Sequence, residues 1–207
     1  MAQDKDLIEN RDYTLLIDKS QSMSTQDQEG GKSRWEAAQE STYALAKKCE
    51  EFDPDGITVY LFSSRFRRYD QVTSDKVTQI YAENDPMGKT NLFEVLEDAI
   101  ENYFQRKTAG KTKPNGETFL IITDGEPEDR KGVIRLIIET SRRLDREDEI
   151  GISLIQVGDD PKVTEYLKAL DDQLLDAGAK FDIVDTITMK DMGNSSLSEV
   201  LLRAITD

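Results

Sequence analysis

The chain has no histidine, a single cysteine and no apolar run longer than a strand. Each absence excludes something. Without histidine, the commonest general base and the commonest zinc ligand are both gone. A lone Cys49 rules out an internal disulfide and fits a reducing compartment, so a cytoplasmic location is expected. The longest apolar runs, such as Phe119–Ile122, are strand-sized, so no membrane insertion is expected. The start, Met1-Ala2-Gln3-Asp4-Lys5-Asp6, is polar and carries no signal-peptide core. Positive charge is scarce too. Lys and Arg number 27 against 42 Asp and Glu, a formal net charge of −15. That disfavours nucleic acid and anionic membranes as partners and leaves room for a cation or a basic protein surface.

What is present suits one domain, residues 1–207 with a core of about 12–206, at 37% hydrophobic and 33% charged residues. Strand-like runs are Tyr13–Ile17, Ile57–Phe62, Thr118–Thr123, Ile150–Val157 and Phe181–Val184, with a weaker one at Phe66–Asp70. Helical stripes lie between them. One carries Trp35, Ala38, Thr42, Leu45, Cys49 and Phe52, opened by a Ser33/Glu36 capping box. Another carries Leu92 to Phe104, with Asn91 and Glu94 as a cap pair. Stripes from Val133 to Leu144, Val163 to Leu174 (opened by Asp160-Pro161) and Leu197 to Ile205 follow, and a short helix is expected from Ser74 to about Ala82. This alternation predicts an α/β fold: a doubly wound, mainly parallel sheet with helices on both faces. The basic segment Phe66–Asp70 is read as an antiparallel edge strand hairpinned to Ile57–Phe62. Its Arg65, Arg67 and Arg68 are read as edge protection, with docking of an acidic partner as the alternative. Cys49 and Trp35 are assigned to the core, and Asp53, Asp55, Asp159, Asp160, Asp171 and Asp172 to caps and solvated charge. The glycosylation pattern Asn194-Ser195-Ser196 is set aside because no secretion signal accompanies it.

In such sheets, binding groups collect beyond the carboxyl ends of the strands, at the switch point. Three loops carry oxygen groups there. The first is Asp18-Lys19-Ser20-Gln21-Ser22, directly after an apolar strand. The second is Asp85 to Thr90, and the third is Asp124-Gly125-Glu126-Pro127, again after an apolar strand. Asp18, Ser20, Ser22, Thr90 and Asp124 form an all-oxygen set with two carboxylates. That set suits one hard divalent cation, magnesium first, with manganese or calcium as alternatives.

These residues resemble the metal-ion-dependent adhesion site of the von Willebrand factor A domain, whose pattern is Asp-x-Ser-x-Ser, a distant Thr and a distant Asp usually followed by Gly. Asp18, Ser20 and Ser22 match the first element, Thr90 the second, and Asp124 with Gly125 the third. The resemblance runs from about Tyr13 to Ile205. Lys89 stands where the family often has glycine. The resemblance implies a Rossmann-like fold and a non-enzymatic protein-interaction module. In it the metal keeps an open position, filled by an Asp or Glu side chain of a partner protein. The Ser22-Met23 ending is similar to intracellular bacterial members, including chelatase and tellurite-resistance subunits. Such members often work beside an ATPase or kinase, so a larger complex is expected.

The competing reading is a magnesium-dependent phosphoryl-transfer enzyme or hydrolase on a similar sheet. It would need a second acid two residues after Asp18, where Ser20 stands. Gly88-Lys89-Thr90 supplies only the tail of a phosphate-binding loop, whose first glycine would fall on Glu83, and no strand leads into it. With no histidine and no nucleophile–base pair, enzymatic activity is disfavoured. A receptor-like adhesion domain outside the cell is opposed by the lone Cys49 and the polar start.

Overall fold

The computed structural model describes residues 6–194 and 196–206. Ser195 of the glycosylation pattern, and Met1–Lys5 of the polar start, lie outside them. Six strands form one sheet: β1 Asp12–Asp18, β2 Ile57–Phe62, β3 Phe66–Val72, β4 Glu117–Thr123, β5 Ile150–Gln156 and β6 Val184–Thr188. Their order is β3-β2-β1-β4-β5-β6. All neighbours are parallel except β2 and β3, so the antiparallel edge strand stands where the sequence predicts it. The longer helices are α1 Arg34–Phe52, α2 Ser74–Ala82, α3 Leu92–Thr108, α4 Arg130–Arg143, α5 Pro161–Asp172 and α6 Leu197–Thr206.

The central strands are apolar on both faces because both faces are covered. Alternate residues of β1 separate into two cores. Leu15 and Ile17 pack with α1, α2 and α6 through Leu45, Val77 and Leu201. Leu16 faces the other way and packs with α3, α4 and α5 through Leu96, Val133 and Leu167. One close approach fixes the seat of α6: a Cβ on Gly151 of β5 would stand 1.9 Å from the Ala204 carbonyl oxygen. No side chain other than hydrogen fits there.

Local signals hold in most places. Ser33 and Glu36 form the reciprocal capping box of α1, and the Asp160 carboxylate accepts from Lys162 N with Pro161 in the first turn of α5. Trp35 packs on Tyr81 at 4.2 Å between ring centres, and Cys49 is fully buried. Three expectations need correction. Asn91 occupies the cap position of α3, but its side chain makes no capping hydrogen bond. The last strand is not Phe181–Val184 but Val184–Thr188. Asp185 interrupts that apolar pattern, yet it is buried and takes Arg203 of α6 at 2.8 Å, which makes it tolerable inside a strand. Asp53 is the C-cap residue of α1, as expected, but it is not solvated: it is buried and ion-paired with Lys113. Among the described residues, no helix is long and apolar enough to cross a membrane.

Candidate metal centre

Neighbouring strands β1 and β4 leave the middle of the sheet at the same end. β1 connects to β2 on one side, and β4 to β5 on the other. This is the switch point, where an open α/β sheet leaves a crevice. Asp18 is the last residue of β1, and Asp124 directly follows the last residue of β4. The two apolar strands therefore carry two acids to one place.

Asp18 is fully buried, and both of its carboxylate oxygens are used. Oδ1 accepts from Ser20 N at 2.7 Å, and Oδ2 from Thr123 Oγ1 at 2.7 Å. Burial pushes the Asp18 carboxyl up to about 6 against the pull of those hydrogen bonds, and Asp124 nearby adds to the rise. Ser22 Oγ donates to Asp124 Oδ1 at 2.8 Å and lies 3.1 Å from Ser20 Oγ. Asp18, Ser20, Ser22 and Asp124 thus form one hydrogen-bonded cluster, with Ser22 its exposed member.

Thr90 arrives on the loop between α2 and α3, which is tied to the first loop by backbone bonds. Met87 N donates to the Lys19 carbonyl at 2.7 Å, and Gln21 N to the Gly88 carbonyl at 3.0 Å. Gly88 holds φ +81°, and a Cβ there would stand 2.8 Å from Ser64 Oγ, so the tight crossing depends on glycine. The Thr90 carbonyl accepts from Glu128 N at 3.1 Å, and a Cβ on Gly125 would stand 3.4 Å from Thr90 Oγ1. Thr90 therefore abuts the Asp124–Gly125 turn, although its hydroxyl makes no hydrogen bond to the other four residues. At the rim, Lys89 Nζ pairs with Glu128 at 2.7 Å.

Two participants escape sequence reasoning. Thr123 orients Asp18, and Arg34, at the start of α1, places Nη1 2.9 Å from Asp124 Oδ2 while its other nitrogens hold Asp27. These contacts, the hydrogen bonds to Asp27 above all, hold Arg34 firmly in its charged form. Among the described residues, no three Asp, Glu, Cys or His side chains gather into a metal cluster; the set here is two carboxylates and three hydroxyls.

No curated protein sequence matches the chain. Several solved structures share its fold. A single-residue mutant of the PilB minor pilin from Streptococcus sanguinis superposes with a TM-score of 0.62 at 14% identity, covering 96% of this chain and 60% of that one. The chain therefore spans about three-fifths of the pilin chain. A manganese-loaded Plasmodium vivax TRAP protein gives a TM-score of 0.61 at 13% identity, covering 95% of this chain and 74% of that one. At such identities the likeness concerns the fold. Residues 13–126, more than half of the chain, match the pattern of the von Willebrand factor type A domain, and the chain belongs to that family of protein-interaction modules.

Proposed function

We propose that the chain is a metal-dependent protein-binding module. Asp18, Ser20, Ser22, Thr90 and Asp124 hold one divalent cation, and an Asp or Glu side chain of a partner protein completes its coordination. The observation that carries this reading is the bond from Ser22 to Asp124, which with the Ser20–Ser22 contact draws hydroxyls and carboxylates from β1 and β4 into one cluster. The chemistry of the donor set fits a hard cation, since every candidate donor is oxygen. The Arg34 guanidinium on Asp124 is a stand-in positive charge, and it supports the view that this end of the sheet calls for a cation. The manganese carried by TRAP on the same fold supports a divalent ion. Magnesium is the first expectation, with manganese and calcium behind it. We place the module, as one domain, in a cytoplasmic complex beside an ATPase or kinase. The lone, buried Cys49 and the resemblance that the Ser22-Met23 ending bears to intracellular members support that setting.

Titration calorimetry with magnesium tests the ligand set. Asp18→Ala and Asp124→Ala should each abolish the binding heat while the circular dichroism spectrum stays that of the parent. Parental magnesium affinity in both variants would remove the reading.

A further inference from the structure

A chain with so many acids holds a groove with none. The groove, about 490 Å³, lies between the Asp18–Ser22 loop and the β2–β3 turn, and Lys19, Arg65, Phe66, Arg67, Met87 and Gly88 border it. No Asp or Glu belongs to its lining, although acids outnumber bases 42 to 27 in the chain. Among the described residues, neither Arg65 nor Arg67 has an ion-pair partner. Arg67 reaches only the Tyr69 hydroxyl, at 3.4 Å, and Glu83 acts on it only through space. Lys19 spends its ammonium on the Asp85 carbonyl at 3.3 Å. The next cation along β3 behaves differently: Arg68 is held by Asp70 at 2.7 Å and lies over the Tyr60 ring. Edge protection would account for Arg68 as well as for its neighbours, so it does not explain why two arginines are left without acids.

Apolar surface accompanies the charge. Phe66 is 38% exposed and Met87 58%, and both border the groove. The groove also adjoins the candidate metal centre, because Lys19 stands between Asp18 and Ser20 while Gly88 leads into Thr90. A segment that delivers a carboxylate to the metal from this side would cross this surface. Unpaired guanidinium groups bind carboxylates with charge-assisted, often bidentate hydrogen bonds. In a chain of net charge −15, an acidic partner is repelled at long range. Within about one Debye length, roughly 8 Å, the local cations decide the sign of the interaction.

We propose that this groove docks an acidic segment of the partner protein carrying one large apolar side chain. Its flanking Asp or Glu residues lie on Lys19, Arg65 and Arg67, and its apolar side chain lies against Phe66 and Met87. The proposal rests on the metal-dependent reading above and adds the kind of segment that the metal receives.

The test is selection of short random peptides on the full chain in magnesium, followed by affinity measurements on the parent, Arg65→Glu/Arg67→Glu and Asp18→Ala. Both arginines are exposed, and circular dichroism checks that the double variant folds. The enriched peptides should combine Asp or Glu with a large apolar residue. They should bind the double variant at least about tenfold more weakly, while its magnesium affinity stays parental. Failure to enrich peptides, enrichment of peptides without acids, or equal binding to the double variant would overturn the proposal. So would a single-stranded DNA oligonucleotide that binds the arginines where the peptides do not. If Asp18→Ala abolishes peptide binding and the double variant does not, the metal reading survives and the groove falls. If the double variant abolishes binding and Asp18→Ala leaves it intact, the groove stands and the metal reading falls.

Discussion

Strands β1 and β4 carry buried charge at both ends and treat it in opposite ways. At the amino end, buried charge is satisfied within the chain, Arg11 by neutral oxygens and the carboxylates by cations. Arg11, fully buried, donates to Thr118 Oγ1 at 2.6 Å, to the Asp148 carbonyl at 2.8 Å, and to the carbonyls of Asn115 and Glu117. Glu117 pairs with Arg106 and takes Thr14 Oγ1 at 2.6 Å; Asp12 takes Arg106 at 2.6 Å; Glu149 takes Lys107 at 2.6 Å. At the carboxyl end, Asp18 is just as buried, yet among the described residues it has no cationic partner, and Asp124 shares Arg34 with Asp27. The same strands and the same burial give different outcomes. Where ions are matched within the chain, the charge serves the fold. Where a buried carboxylate has no cation in the chain, as at Asp18, room is left for the cation proposed above.

The largest effect is expected at the matched end. Arg11→Ala removes a planar fork with four acceptors and strands their oxygens in the interior, so urea denaturation should show a loss of about 3–5 kcal/mol. Arg11→Lys should recover little of it, because an ammonium cannot reproduce the fork. A loss below about 1 kcal/mol for Arg11→Ala would show that the amino end is not held by its polar network, and the contrast between the ends would collapse.

The opposite sign is expected at the other end. Asn at position 18 keeps an acceptor for Ser20 N, and its amide can donate to Thr123 Oγ1, so both existing bonds survive without a buried, unneutralised charge. In chelator at neutral pH, Asp18→Asn should leave stability unchanged or raise it on the order of 1–3 kcal/mol. Magnesium should raise the parent's melting temperature by mass action and leave that of the variant unmoved. A destabilised Asp18→Asn protein in chelator would mean that the carboxylate serves the fold at this end as well.

How much of this was legible follows from distance along the chain. Asp18, Ser20 and Ser22 fall within five residues after an apolar strand, and Asp124 follows another, so strand ends and donor types could be read together. The parallel sheet was legible because its central strands are apolar on both faces. The partners at either end were not. Arg34 looks like an ordinary first-turn residue behind a capping box, and only the course of the preceding loop brings it to Asp124, 90 residues away. Arg11 and Thr118 are separated by 107 residues, with no local pattern to join them. Val184–Thr188 was missed for the same reason, since Asp185 is acceptable in a strand only once Arg203 is seen beside it.

The smallest effect is the one that tests whether charge, and not merely burial, holds the amino end. Burial pushes the Glu149 carboxyl up, but Lys107, Asp145 N and Tyr103 Oη outweigh it and leave the group below its ordinary value of 4.5. A carboxyl lowered by folding contributes stability that is complete above its unfolded value and lost as pH falls through the folded one. Glu149→Gln keeps two polar atoms for Tyr103 and Asp145 and removes the charge that Lys107 sees, while Lys107 retains Asp145 at 2.6 Å. The variant should therefore be less stable than the parent at pH 7 by no more than about 1 kcal/mol, given the solvent that reaches Lys107. The gap should close as pH falls below the ordinary 4.5 and through the lowered folded value, when the parent's own carboxyl takes up its proton. Urea midpoints measured across that range decide the point. A gap that stays constant with pH would show that Glu149 acts through packing and hydrogen bonds alone. Ion matching at the amino end would then rest on Arg106 with Asp12 and Glu117, and the contrast with Asp18 would narrow to that part of the network.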